Sequence, residues 1–232
     1  LIEERTPDVR RLSEIRELLY DRAFADSAED RDLYYMYRDL ARNEEEREKI
    51  HSQHLRYDIT IIPPNMLGVE FTKTAGHFHP EAVAGVSYPE VYEVLEGEAL
   101  YLMQKEDLSD VYIVEAEAGD KVIIPPNYGH ITINPSNKPL KMGNWVCADF
   151  SSIYAPFREK RGGAYYKTTS GWIENPSYGN LPKMRIVPPT NFENMGLTKG
   201  SSMYGLVERI ESLSFLRAPQ NFSSLFEQTL SL

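Results

Sequence analysis

The sequence predicts a mainly β fold: a jelly-roll barrel with N-terminal helices and a C-terminal extension. Three observations carry that expectation. From Leu55 to Ala148 apolar residues recur at every second position, the period of a strand with one face on a core. The stretch divides into eight short runs: Arg56 to Ile62, Gly68 to Thr74, Glu90 to Leu95, Ala99 to Gln104, Val111 to Glu115, Lys121 to Ile124, Gly129 to Ile133 and Leu140 to Ala148. Between them stand Pro, Gly and Asn, the residues turns require, and short strands so punctuated match a jelly roll. The chain then divides into an N-terminal helical arm over 1–54, the barrel over 55–155 and an extension over 156–232 packed on the same domain.

Ahead of the barrel the period is helical. Residues 8 to 25 place Leu12, Ile15, Leu18 and Leu19 on one helix face, with Ser13 near the start. A second helix is expected from Arg31 to Ile50, opening on the cluster Tyr34-Tyr35-Met36-Tyr37 and passing through a Glu-rich solvated run over 43–49. His51 and His54 have a spacing that suits a metal on a helix. No acidic or cysteine partner is placed beside them, so they are assigned no site.

After Asp149 the pattern loosens. Tyr154 to Tyr166, with Arg158, Lys160, Arg161 and Gly162-Gly163, reads as an exposed basic loop, with a loop over the barrel mouth as the alternative, and the Pro-, Asn- and Gly-rich residues 171 to 194 as extended chain along the outside of the barrel. A short helix is expected from Tyr204 to Ser212, and a loosely held tail from Ala218.

A chain of 232 residues suffices for one well-packed domain. It has no run of eighteen apolar residues, so neither a membrane span nor an apolar signal region at the start is expected. A single cysteine, Cys147, excludes an intramolecular disulfide and fits a reducing cytoplasm. Its apolar neighbours Trp145, Val146 and Ala148 make it a core thiol. The net charge of -10 argues against a nucleic-acid partner, because a phosphate backbone would be repelled. For the same reason any pocket for a phosphorylated ligand must be built locally.

The chemistry concentrates between Gly76 and Asn134, which holds three of the five histidines. His77 and His79, two residues apart, suit an extended segment from which both rings reach one point. Glu90 opens an alternating run that ends at Gly97 after six intervening residues. Gly119 precedes Pro125 with five residues between them, and His130 and Asn134 follow. Together these resemble the two-part cupin pattern, whose halves fold as neighbouring hairpins of a small barrel. The resemblance implies that His77, His79, Glu90 and His130 are ligands of one metal. Ten residues separate His79 from Glu90, more than is usual in that pattern. Glu81 lies nearer, but it sits in a Pro-Glu-Ala-Val-Ala-Gly loop, and only Glu90 precedes a glycine at the required distance.

The surroundings narrow the resemblance. Thr60, the run Glu70 to His79, Pro89-Glu90-Val91-Tyr92, Ile124-Pro125-Pro126 ahead of His130, and the start Val9-Arg10-Arg11-Leu12-Ser13 are similar to the cupin-type glucose-6-phosphate isomerases of archaea and some bacteria, over roughly residues 9 to 160. That resemblance implies substrate contacts at Thr60, Thr74, Gly76, Tyr92 and Tyr154. It also implies a homodimer, to which the Tyr34 to Tyr37 cluster can contribute. Where members studied as isomerases carry a further Tyr and His, this chain has Val146 and Ser152. Alternation from Glu90 puts Tyr92 on the same face as the carboxylate. Thr74 and His77 are separated by an odd interval, so a kink near Gly76 is required for both to face one cavity.

Three imidazoles and a carboxylate leave a six-coordinate divalent ion two open positions, and such mixed donors suit iron, nickel, manganese or zinc. Two open positions can chelate the oxygens on the first two carbons of an open-chain sugar phosphate and polarise its carbonyl. The resemblance then implies aldose-ketose isomerisation of glucose 6-phosphate and fructose 6-phosphate as the expected activity. Glu90 moves the proton through a cis-enediolate; a direct hydride shift is the alternative route. The fold alone leaves two other functions open: another metal-dependent cupin enzyme acting on a different sugar phosphate or as an oxidase or dioxygenase, and a non-catalytic sugar-binding cupin.

Overall fold

The alternating residues between Leu55 and Cys147 divide between two principal sheets in the computed structural model, which describes residues 1–231. One sheet has six strands in the order Asp8–Arg11, Asp32–Tyr37, Leu55–Ile62, Leu140–Cys147, Glu90–Glu96 and Lys121–Ile124. The other has four, Tyr128–Ile133, Glu98–Lys105, Val111–Glu117 and Arg185–Val187, antiparallel except for the last, parallel pair. The expected mainly β fold is the one observed, and seven of the eight expected strands lie within two residues of their expected bounds. The eighth, Gly68 to Thr74, is broken into Met66–Leu67 and Glu70–Phe71 in a third sheet with the hairpin Tyr165–Thr168 and Gly171–Glu174.

Alternation explains the packing on both sides of these sheets. Tyr92, Val94, Tyr101, Met103, Tyr112 and Val114 point into one buried cluster drawn from both sheets. Their odd-register neighbours point the other way: Val91, Ile123 and Trp145 meet the C-terminal segment, and Leu100, Leu102 and Ile113 meet the Tyr165 and Phe157 region. Strands buried on both faces need a cover on each side. The C-terminal extension is one such cover. Its helical stretch Tyr204–Leu216 buries Leu206, Val207, Ile210, Leu213 and Phe215, and Trp145 Nε1 donates to the Met203 carbonyl at 2.9 Å.

Three expectations are corrected. The helix over 8 to 25 is a strand at Asp8–Arg11, two 3-10 turns at Leu12–Glu14 and Arg16–Leu18, and a short α-helix at Arg22–Ser27. Leu12, Ile15 and Leu18 are spaced by three, the 3-10 period, and are all at most 1% exposed. In the second helix, the tyrosine cluster lies instead in the strand Asp32–Tyr37, where aromatic residues suit a pleated surface, and helix begins only at Glu44. Asn43 caps it, its side chain accepting from the Glu46 N–H at 2.9 Å, and the three glutamates fill the electropositive first turn. The tail from Ala218 is not loose: helix Ser223–Leu230 buries Leu225 and Phe226. Among the described residues no helix is long and apolar enough to cross a membrane.

Candidate metal centre

The segment after Thr72 runs antiparallel to the edge strand Tyr128–Ile133. His77 and His130 are bridged by reciprocal backbone hydrogen bonds at 3.2 and 3.1 Å. Two residues later His79 turns into the same space. Glu90 arrives from the opposite sheet, as the first residue of its strand, paired with Ile124 on one side and Val146 on the other. One donor atom from each of His77, His79, Glu90 and His130 lies within 4.8 Å of every other.

The local atoms fit a metal ion. The Nε2 atoms of His77 and His79 face each other at 3.1 Å, and Glu90 Oε2 lies 3.4 Å from His79 Nε2 and 3.3 Å from His130 Nε2. That Oε2 is buried and has no hydrogen-bond partner among the described residues, a costly arrangement unless an ion satisfies it. Its companion Oε1 accepts from the buried Asn144 amide at 2.6 Å, and His79 Nδ1 lies 2.8 Å from the Tyr88 carbonyl, which orients Nε2 toward the cluster. Burial, with His130 and His79 adding to it, pushes the His77 imidazole well below its ordinary pKa. Burial also lowers His130, against the pull of Glu90. Burial opposes charge on Glu90, but His130 and His79 outweigh it and hold the carboxyl well below the usual range. Neutral imidazoles and an ionised carboxylate are the forms that ligate a metal.

One cavity above this cluster collects every substrate-contact residue expected from the sequence. Thr60, Thr74, Gly76, Tyr92 and Tyr154 line it with the four ligand-type residues, as do Val146 and Ser152. The Tyr92 hydroxyl is 3.4 Å from His130 Nε2, and the Tyr154 ring is 5.6 Å from that of His77. The required kink is present: Gly76 has φ +76°, and a Cβ there would stand 2.4 Å from Ile131 Cγ1. Tyr34, which also lines the cavity, pins the bend, its hydroxyl accepting from the Ala75 N–H at 3.0 Å. His51 and His54 lie elsewhere, beside Asp39 and Asp149, and Cys147 is a buried thiol raised in pKa by that burial.

Sequence reasoning missed several lining residues: Arg10, Arg38, Arg56, Asp58 and Asn144. A signal existed for some of them. Once Thr60 is placed inward, strand alternation turns Arg56 and Asp58 inward too, and the Asn144↔Asp58 register does the same for Asn144. For Arg10 the only signal was the family-like start Val9 to Ser13, and for Arg38 there was none, because the strands Asp8–Arg11 and Asp32–Tyr37 carry a helix-like pattern.

The chain is similar to known proteins over most of its length. Residues 9–183 match the family described as glucose-6-phosphate isomerase (GPI). The chain is 31% identical over 163 residues to the glucose-6-phosphate isomerase of Thermococcus litoralis, covering 69% of this chain and 80% of that one. It is 32% identical to that of Pyrococcus furiosus over the same shares. Among solved structures, an oxalate oxidase in complex with the substrate analogue glycolate overlaps 51% of each chain at 16% identity and a TM-score of 0.37, too loose to bear on function. With three quarters of its length inside the family match and a His-His-Glu-His cluster at the centre of that match, this chain belongs to the archaeal, cupin-type glucose-6-phosphate isomerase family.

Proposed function

We propose that the protein is a metal-dependent aldose-ketose isomerase that interconverts glucose 6-phosphate and fructose 6-phosphate. The observation that carries this reading is the convergence of His77, His79, Glu90 and His130 within 4.8 Å, at the base of a cavity lined by hydroxyl donors, in a chain of this family. A bound divalent ion, whether iron, nickel, manganese or zinc, would supply Lewis-acid polarisation of the sugar carbonyl.

The remaining work falls to the chain's own groups. Glu90 is the carboxylate nearest the reacting carbons and moves the proton between carbons one and two. The Asn144 amide fixes one of its oxygens and leaves the other facing the histidines. Thr60, Thr74 and the Gly76 backbone hydrogen-bond the sugar hydroxyls and phosphate oxygens, while Tyr92 and Tyr154 close the cavity beside His130 and His77. The aliphatic Val146 and small Ser152 leave the cavity wider than a second tyrosine and a histidine would, which bears on substrate preference. The enzyme acts in the cytoplasm as a homodimer without nucleic-acid or membrane partners.

A coupled assay for fructose 6-phosphate formation, run before and after chelator treatment and metal restoration, tests the reading. Activity lost with the chelator and regained with one of the four metals supports it. Fully metallated protein with no turnover of either sugar phosphate refutes it.

A further inference from the structure

A phosphate dianion entering a protein of net charge -10 needs a local positive group, and Thr60, Thr74, Gly76 and Tyr154 are all neutral. Three arginines line the cavity, Arg10, Arg38 and Arg56. Two of them are already engaged. Arg56 Nε donates to Asp58 at 2.8 Å, a carboxylate only 5% exposed, and Arg38 Nε donates to Asp8 at 3.0 Å with a second nitrogen 3.8 Å from Asp58. Those two guanidiniums and two carboxylates balance.

Arg10 differs. Its outer Nη1 meets Glu14 at 3.1 Å, and Glu14 is 42% exposed and also accepts from the Arg11 N–H, so water screens that pair. Its inner Nε is buried and has no hydrogen-bond partner among the described residues. The arginine side chain is 16% exposed, and its guanidinium carbon lies 5.7 Å from the centre of the Tyr154 ring. That ring centre is in turn 5.6 Å from the centre of the His77 ring. The two steps put Arg10 no more than about 11 Å from a ligand-type ring, a span that an open-chain six-carbon phosphate bridges at roughly 1.3 Å of projected length per bond.

We propose that Arg10 receives the phosphate of the substrate, its unpartnered Nε and planar fork binding two phosphate oxygens while the carbonyl end lies at the histidine cluster. This deepens the isomerase reading and rests on it for the identity of the substrate. Arginine suits the task because its fork matches phosphate bidentately and its charge persists at every working pH. The strand Asp8–Arg11, paired along its length with Asp32–Tyr37, is thereby a wall of the site that presents Arg10 to it.

The test compares metal-loaded wild type with Arg10→Met, which keeps an apolar stem over Tyr154, Arg10→Lys, which keeps the charge, and Arg56→Met as the competing arginine. Isothermal titration with inorganic phosphate is read beside the KM for glucose 6-phosphate, with metal content and melting temperature measured for each variant. For Arg10→Met we expect the phosphate Kd and the KM to rise by about tenfold to a hundredfold, the loss of a charge-assisted contact, at unchanged metal content. Arg10→Lys is expected to recover part of the loss. Phosphate affinity unchanged in a folded Arg10→Met or, should that variant not fold, in the polar but uncharged Arg10→Gln overturns the assignment, as does a loss confined to Arg56→Met. Wild type that fails to isomerise glucose 6-phosphate yet binds phosphate through Arg10 upholds the anion site and rejects the isomerase reading.

Discussion

The side-chain amide of Asn144 donates to Oε1 of Glu90 at 2.6 Å, with both residues less than 5% exposed. The bond leaves Glu90 one free oxygen, Oε2, and that is the oxygen facing His79 and His130. Asn144→Ala is therefore expected to weaken metal binding by about 10- to 100-fold, the usual effect of losing a group that orients a ligand. Competition titration against a chelator measures it.

Removing a ligand is expected to do more. His130→Ala takes away a ring that approaches both Glu90 and the Tyr92 hydroxyl, so purified protein should contain substantially less metal than the Asn144→Ala variant. Elemental analysis of the two side by side checks the ordering. Equal, full occupancy in His130→Ala removes that residue from the ligand set.

Glu90 as the proton carrier makes two readings of one experiment. Turnover in deuterated water should place solvent deuterium on the sugar at the carbons that exchange hydrogen. Glu90→Gln protein that retains metal should lose activity by about a hundredfold or more. Absence of label together with an active Glu90→Gln variant assigns the transfer to a direct hydride shift without this residue.

Gly76 is the hinge on which Thr74 and His77 come to face one cavity. At φ +76°, and with Ile131 Cγ1 only 2.4 Å from the point a Cβ would occupy, Gly76→Ala combines backbone strain with a clash and should destabilise the protein by about 1–3 kcal/mol. Thermal melting of the variant checks the loss. A Tm unchanged from wild type contradicts it.

Arg185 binds Asp110 through two nitrogens at 2.9 and 2.7 Å, and the Tyr128 hydroxyl donates to the same carboxylate at 2.9 Å. Hydrogen bonding from Arg185, more than offsetting partial burial, holds the Asp110 carboxyl below its ordinary value. Because the folded pKa is depressed, the pair stabilises fully above the unfolded value of about 3.9 and loses that contribution as pH falls through the folded one. Wild type should melt above Asp110→Asn at neutral pH, and the gap should narrow below about pH 4. Melting curves across that range give the result.

Local pattern alone was enough to establish the β period from Leu55 onward and the near-correct bounds of most strands, while the four residues that meet at the cluster were picked out by resemblance to the cupin pattern. Alternation sets which face a strand residue takes, and turn residues set where a strand stops. The kink at Gly76 followed from the parity of Thr74 and His77 once the resemblance put both in one cavity. That Asp8–Arg11 and Asp32–Tyr37 are strands was settled by long-range pairing. Leu12, Ile15, Leu18 and Leu19 carry a helical pattern, yet the chain before them is drawn into a sheet by partners far along the sequence, and no local preference records such a pairing. With those two strands came Arg10, Tyr34 and Arg38 at the cavity. The tail followed the same logic: Leu225 and Phe226 look ordinary in sequence and are held because the outer face around Trp145 needs a cover that only the distant C-terminal segment supplies.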